Sequence, residues 1–150
     1  MSAELSFEEI DPDLKRAVME RVNLSPYWSL LGMRLLDMKK GWAVVALPFS
    51  DKLLQSLGIV HGEAICSVAD SAIGLALKGL LDPGEVFVTA EIKLNFIKSF
   101  ERGEVQAAAR IVHRGATTAL GEVDVRNGAG ELVAKGLATF IVRKTRDEEG

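Results

Sequence analysis

The sequence predicts an α+β fold in which one long helix is wrapped by an antiparallel sheet of about six strands. Residues 64–81 are mainly apolar and carry only two charges, Asp70 and Lys78, which is typical of a buried helix. Residues 86–96 alternate between apolar and polar side chains, which indicates a half-buried strand. Three further strand-like segments follow after short turns, and such a series favours antiparallel pairing.

The composition is that of one domain with an ordinary surface. The chain has 150 residues, 48% of them hydrophobic, which is enough for one sizeable core. Its net charge of −3 supplies no basic face, so we expect no nucleic-acid partner. One cysteine and two distant histidines predict neither a disulfide nor a metal site, and no cofactor is expected. The acidic N-terminus lacks a signal pattern and the apolar stretch is marginal for a bilayer, so we expect a cytoplasmic protein that does not enter the membrane.

The N-terminal part of the chain is predicted to contain two helices and then two strands. Apolar residues recur at helical spacing over 7–22, and Pro12 either belongs to the first turn of this helix or marks its true start. Residues 26–31 predict a short second helix. Segments 33–38 and 42–48 predict two strands around a Lys-Lys-Gly turn.

The central and C-terminal parts are predicted to form the long helix and the remaining strands. A loop or short helix over 53–60 leads into the long helix, which we expect to run from about His61 to Leu80. In the next strand the even-numbered residues of 86–96 are apolar, so they are predicted to share the buried face. The remaining strands are predicted over 105–112, 117–125 and 132–142.

These elements predict a single domain with its core at about 30–142. A helical segment at about 7–30 precedes the core, and a charged, frayed tail at 143–150 follows it. Both ends of the predicted sheet are open edges. Open edges favour pairing with a second copy of the chain.

Asp70 is the residue that this fold does not explain. A carboxylate inside an apolar helix loses hydration, which costs several kcal/mol unless it is paired, hydrogen-bonded or protonated. One interpretation is therefore a structurally paired aspartate. The other is an acid that lines a cavity, where a perturbed pKa suits catalysis.

The segment around Asp70 resembles a known enzyme family. Residues 58–72 read Gly-Ile-Val-His-Gly-Glu-Ala-Ile-Cys-Ser-Val-Ala-Asp-Ser-Ala, and the family pattern is His-Gly-Gly, six residues, then Asp or Glu. Residues 88–98 and 136–142 also fit the family. The chain thus resembles the hotdog-fold thioesterases, specifically the phenylacetyl-CoA thioesterase-like (PaaI-type) branch. The resemblance implies a hotdog fold and hydrolysis of an aryl- or medium-chain acyl-CoA substrate.

The resemblance also implies roles for individual residues. Asp70 matches the catalytic carboxylate, which acts as a general base on water or as a nucleophile. Gly62 matches the glycine whose backbone N–H polarises the thioester carbonyl, and Gln55 matches a residue that positions substrate or water. Further residues are predicted to contact substrate: His61, Ser71, Gly74, Thr89 and Lys98. For His61 we prefer the interpretation as a helix cap or structural hydrogen-bond partner over that as a catalytic proton shuttle.

The sequence departs from the family at two points. Glu63 stands where the family has its second glycine. A glutamate is favourable in the first turn of a helix, but it would narrow the pocket if the family's glycine makes room for substrate. The family's Arg-Pro-Ala is replaced by Lys-Ser-Phe at 98–100, which puts contacts to the CoA phosphates in doubt.

Helix geometry predicts that two chains share each site. Gly62 and Asp70 are eight residues apart, which is about 12 Å along one helix. A reacting carbonyl needs its oxyanion donor and its base or nucleophile about 3 Å away, so one helix does not supply both. Two copies of the helix packed antiparallel supply both groups to one carbonyl. We therefore expect a homodimer, or a tetramer built from two such dimers.

Two other functions remain open at this point. A hotdog enoyl-CoA hydratase would consume the enoyl group without releasing a thiol. A non-catalytic acyl-CoA-binding or regulatory protein would bind the ester without turnover, because a fold does not fix a function.

Overall fold

A computed structural model describes residues 6–145, and it confirms the predicted fold class. Six antiparallel strands form one sheet in the order β1-β2-β4-β5-β6-β3. The elements are α1 (Pro12–Asn23), α2 (Pro26–Leu31), β1 (Arg34–Lys39), β2 (Trp42–Pro48), a 3-10 turn (Asp51–Leu53), α3 (Gly62–Lys78), β3 (Glu85–Phe96), β4 (Glu104–Arg114), β5 (Thr118–Asn127) and β6 (Leu132–Lys144). No helix in this described part is long and apolar enough to cross a bilayer.

Helix α1 begins at Pro12, five residues after the start that the apolar spacing suggests. The Asp11 side chain caps it by accepting hydrogen bonds from the Asp13 N–H (3.0 Å) and the Leu14 N–H (2.9 Å). Proline suits the first helical position because its missing N–H would have no partner there. Phe7 lies outside the helix and stacks on Trp42 with ring centroids 6.1 Å apart.

Helix α3 packs closely against the inner face of the sheet through small side chains. Ala72 and Ala76 are fully buried on the helix, and Ala107 and Ala109 are buried on β4. At Gly121 on β5 a side chain would overlap Ile73 of α3. The glycine therefore sets how near the helix comes to the sheet.

Strand β3 forms one edge of the sheet and contains a bulge at Ala90. Its pairing with β6 steps from Thr89 to Glu91 and skips Ala90. The predicted sharing of one face by all even-numbered residues is therefore wrong, because one extra residue inverts the alternation. Before the bulge Val86 and Val88 are 46% and 49% exposed, whereas Thr89 points toward α3.

Strand β6 extends two residues beyond the predicted end. Arg143 and Lys144 pair with Val86 and Glu85 of β3, so the predicted frayed tail does not begin at 143. The rest of that predicted tail, residues 146–150, lies outside the described residues.

Gly121→Ala is expected to destabilise the fold by about 1–3 kcal/mol, because its methyl group overpacks the helix–sheet contact. Gly128→Ala is the matched control, since a side chain there would meet nothing within 4 Å and its backbone is not left-handed. We expect that control to stay within about 0.5 kcal/mol of wild type in urea unfolding. Equal stability of the two variants would contradict the close contact.

Candidate active site

Helix α3 is not covered on all sides, contrary to the expectation from its apolar sequence. Ten of its 17 residues are buried. The uncovered side, here called the open stripe, carries the helix's polar residues: Glu63, Ser67, Asp70, Ser71 and Lys78. Charged side chains of residues 6–145 are nowhere fully buried. Asp70 is therefore half-buried on a surface and is not enclosed in the core of its own chain.

Asp70 receives a hydrogen bond from the neighbouring strand. The Thr89 hydroxyl donates to Asp70 Oδ1 at 2.9 Å, and the bulge at Ala90 gives Thr89 this direction. Burial raises the pKa of the Asp70 carboxyl, and the hydrogen bond from Thr89 opposes that rise. No cation of the described chain forms a salt bridge to Asp70. An ion pair within the described chain therefore does not explain why a carboxylate lies in this apolar helix.

Gly62 lies at the N-terminal end of α3, at its first helical position. His61 is the N-cap residue and has extended backbone angles (φ −60°, ψ 136°). A first-turn N–H has no partner within the helix and lies at the positive end of its dipole. The ring of Phe96 covers the glycine so closely that an added Cβ would lie 3.1 Å from Phe96 Cζ.

A cavity of about 270 Å³ opens beside this helix end. Its lining includes Gln55, Gly62, Phe96 and Lys98, and we call it the Gly62 cavity. Gln55 is held at its wall by a tight turn, in which the Gln55 N–H donates to the Ile59 carbonyl at 2.9 Å. Its side-chain Oε1 accepts from the Leu57 N–H. The structure therefore brings Gln55 together with Gly62, as the predicted roles require.

His61 and Glu63 contact each other and not the Gly62 cavity. His61 occupies the predicted cap position, but its side chain makes no capping hydrogen bond and its Nδ1 contacts Glu63 Oε2. The Glu63 side chain is 80% exposed. Hydrogen bonds from its own backbone N–H and from His61 lower the pKa of Glu63. Within one chain, Glu63 therefore does not narrow the cavity.

The other predicted substrate contacts have different surroundings. Ser71 is half-buried beside Asp70 on the open stripe. Gly74 is buried beneath Phe87 and Phe140, so packing accounts for this glycine, and a substrate contact from it stays a prediction. Lys98 lines the Gly62 cavity, and its ammonium pairs with Glu131.

The candidate residues thus form two clusters at different points of one helix. Gln55, Gly62 and Lys98 surround the helix start, whereas Asp70 and Thr89 meet eight residues further on. About 12 Å of helix separates the clusters. A single chain does not place both around one carbonyl carbon.

Two contacts near these clusters were not predicted. Phe96 covers Gly62, and its only sequence signal is its place in the apolar alternation of its strand. The Tyr27 hydroxyl lies 2.6 Å from Ser67 Oγ on the open stripe, which ties α2 to the helix. Among residues 6–145, no cluster of three His, Cys, Asp or Glu side chains fits a metal ion.

Residues 57–134 match the family model of the thioesterase superfamily, which is more than half of the chain. The chain belongs to the thioesterase superfamily. Over 116 residues it is 28% identical to 1,4-dihydroxy-2-naphthoyl-CoA hydrolase of Listeria monocytogenes, covering 77% of this chain and 94% of that protein. The predicted resemblance is confirmed, and the chain is a thioester hydrolase.

Solved structures share the fold of this chain. Protein PA5202 of Pseudomonas aeruginosa is 36% identical, with a TM-score of 0.77 over 80% of this chain and 95% of that one. The Escherichia coli PaaI protein from the phenylacetic acid degradation operon is 20% identical, with a TM-score of 0.76 over 87% of this chain and 92% of that one. The hotdog fold is thereby confirmed.

One further thioesterase has been solved as two substituted forms. Staphylococcus aureus SAV0944 is 26% identical, with a TM-score of 0.76 over 79% of this chain and 99% of that one. One form carries a Glu-to-Ala substitution, and the other carries a Gln-to-Ala substitution fifteen positions earlier in the chain.

Asp70→Asn is expected to raise the thermal stability at pH 7. A raised pKa in the folded state means that ionised Asp70 destabilises the fold at neutral pH and that this cost disappears below the ordinary aspartate pKa of about 3.9. Asparagine keeps the acceptor for Thr89 without the charge. Thermal unfolding at pH 7 and near pH 4 checks this, and a variant that melts below wild type at pH 7 would contradict it.

Proposed function

We propose that this chain is an acyl-CoA thioesterase that hydrolyses an aryl- or medium-chain acyl thioester at composite sites between two subunits. The observation that carries the proposal is the division of the site along α3. Gly62 with Gln55 lies at the helix start, and Asp70 with Thr89 lies eight residues later. Two helices packed antiparallel would bring the first cluster of one subunit against the second cluster of the other. Each dimer would then hold two equivalent sites.

The proposed chemistry begins at the thioester carbonyl. The Gly62 N–H donates to the carbonyl oxygen, and the positive end of α3 stabilises the charge that develops there. Gln55 from the same subunit orients the ester or the attacking water. Attack on the acyl carbon breaks its bond to sulfur, and the CoA thiolate leaves and takes up a proton released by the water that is consumed.

Asp70 of the facing subunit supplies the attack in one of two ways. As a general base it takes a proton from water, whose oxygen bonds to the acyl carbon. As a nucleophile it forms a mixed anhydride that water hydrolyses in a second step. Thr89 keeps the carboxylate oriented, and its hydrogen bond opposes the rise in the pKa of Asp70. Either role requires the ionised form of Asp70.

Two observations support these assignments. Asp70 has no salt-bridge partner in the described chain, so its charge is available for chemistry. Gln55 and Asp70 are fifteen positions apart, the separation of the glutamine and the acidic residue substituted in the Staphylococcus aureus thioesterase.

Purified protein is expected to release free thiol from benzoyl-, phenylacetyl- or octanoyl-CoA, and Asp70→Asn is expected to lose at least about 1,000-fold in kcat/KM. In a plot of kcat/KM against pH, the acid limb reports the ionisation of Asp70. Its midpoint should lie above the ordinary aspartate pKa. Thr89→Val removes the hydrogen bond that lowers this pKa, so it should move the acid limb to higher pH.

The outcomes separate the competing functions. Thiol release that survives Asp70→Asn would contradict the assigned role. Loss of enoyl absorbance without thiol release would favour a hydratase. Tight binding of every ester without turnover would favour a non-catalytic acyl-CoA-binding protein.

The shared site predicts complementation between two inactive variants. Gly62→Pro removes the proposed oxyanion donor at a helix position that accepts proline, after a residue whose ψ of 136° is compatible with it. We expect a loss of about 100- to 1,000-fold in kcat. Gly62→Ala is the matched control, because it adds a similar Cβ beneath Phe96 but keeps the N–H.

Co-expressing Gly62→Pro with Asp70→Asn under two affinity tags yields mixed dimers. Each mixed dimer has one site with both groups intact, so it should recover about half of the wild-type activity per dimer. If each site lay within one chain, every site in the mixed dimer would lack one group. No recovery in mixed dimers would therefore overturn the composite site.

A further inference from the structure

A second cavity lies along α3 on the far side of Asp70 from Gly62. It has a volume of about 510 Å³ and is bounded by α1, the end of α3 and the start of β3, so we call it the α1–β3 groove. Its walls are mainly apolar, with Leu14 and Ala17 from α1, Leu75 from α3 and Phe87 from β3. An apolar groove of this size suits the hydrocarbon part of a small ligand.

Two cations lie in this apolar groove. Arg21 of α1 and Lys78 of α3 both line it. Neither forms a salt bridge with a carboxylate among residues 6–145. The acid in the groove wall, Glu85, is already held by Arg114 (2.6 Å) and by the Asp82 N–H (2.9 Å). The groove therefore keeps two positive charges that its own wall does not neutralise.

Helix geometry offers a partial explanation for each cation. Arg21 is in the last turn of α1 and Lys78 is in the last turn of α3, where a cation interacts favourably with the helix carbonyls. That effect does not require both cationic residues to line one cavity. Two cationic residues in one cavity wall are what a bound anionic group would use.

The groove begins on the same side of α3 as Asp70, the proposed catalytic carboxylate. Asp70, Ser71 and Lys78 share the open stripe of α3, and Leu75 between them lines the groove. Lys78 is eight residues beyond Asp70, or about 12 Å along the helix, and helical side chains lean back toward the N-terminus. An acyl group that starts at Asp70 and spans about 6–10 Å would therefore reach the Lys78 ammonium.

We propose that the α1–β3 groove binds the acyl part of a thioester whose far end carries a carboxylate, with Lys78 and Arg21 as its specificity-determining ligands. This proposal rests on the proposed thioesterase function and names its substrate class. The span fits a dicarboxylic acyl chain of about five to eight carbons or one carboxylated aromatic ring. Hydrolysis of such an ester consumes one water and releases the CoA thiol and a dicarboxylate.

Matched pairs of CoA thioesters test this assignment. Wild-type protein is compared on suberoyl-CoA against octanoyl-CoA and on 4-carboxybenzoyl-CoA against benzoyl-CoA, at equal ionic strength. We expect kcat/KM to favour the carboxylated member by about tenfold or more, because its charged group is paired in the groove. Lys78→Met is expected to abolish the preference mainly through KM, and Lys78→Arg to keep most of it.

Arg21→Gln should weaken the preference, whereas Arg16→Gln is the matched control on α1, because Arg16 pairs with Asp13 and does not line the groove. Titration of the Asp70→Asn variant with the same thioesters measures their affinities without turnover. The carboxylated esters should bind more tightly, and Lys78→Met in that background should remove the difference.

The failures are distinguishable. No hydrolysis of any thioester would overturn the proposed function and this assignment with it. Hydrolysis without preference for the carboxylated esters would overturn only the assignment. An equal loss on both members of a pair in Lys78→Met would place the cation against the CoA phosphates, and would also overturn it.

Discussion

The close contact between α3 and the sheet is the constraint on which the rest of the molecule depends. Alanines on both surfaces and Gly121 opposite Ile73 allow the helix to lie directly on the strands. Helix geometry fixes the distance between Gly62 and Asp70, and core packing fixes where both residues lie relative to the sheet. The same contact covers most of the helix and leaves the open stripe as the side where a carboxylate keeps part of its hydration.

Much of this structure follows from local patterns in the sequence. The 3.6-residue pattern, the His-Gly start and the Asp-Pro-Gly stop place α3 within two residues of its observed ends. The apolar segment after the Lys-Lys-Gly turn places β2 at 42–48 without error, and the turn signals between the later segments identify the meander of β4, β5 and β6. Asp70 is noticed because its charge contradicts its apolar surroundings. These signals are local, so one sequence is sufficient to read them.

The features that the sequence did not reveal depend on contacts between distant segments. The bulge at Ala90 is invisible in the alternation, because Val88 and Ile92 are equally apolar whichever face they occupy. Only pairing with β6 decides the face, and that choice turns Thr89 toward Asp70. The cover of Phe96 over Gly62 is likewise a contact between a helix start and a strand end. A strong periodic pattern in the sequence predicts a helix or a strand, but it does not predict which residues of other elements a side chain contacts.

The edge position of β3 has a consequence for folding. Strands β1–β2 and β4–β5–β6 join neighbours in the chain, so closing their loops costs little entropy. Strand β3 pairs with β6 across 38 to 59 residues, and β2 pairs with β4 across 56 to 68 residues, and both are slow kinds of pairing. We expect both pairings to form after the β4–β5–β6 meander. Asp70 would then acquire its hydroxyl donor only when β3 is in place, so a partly folded chain would lack an assembled carboxylate site.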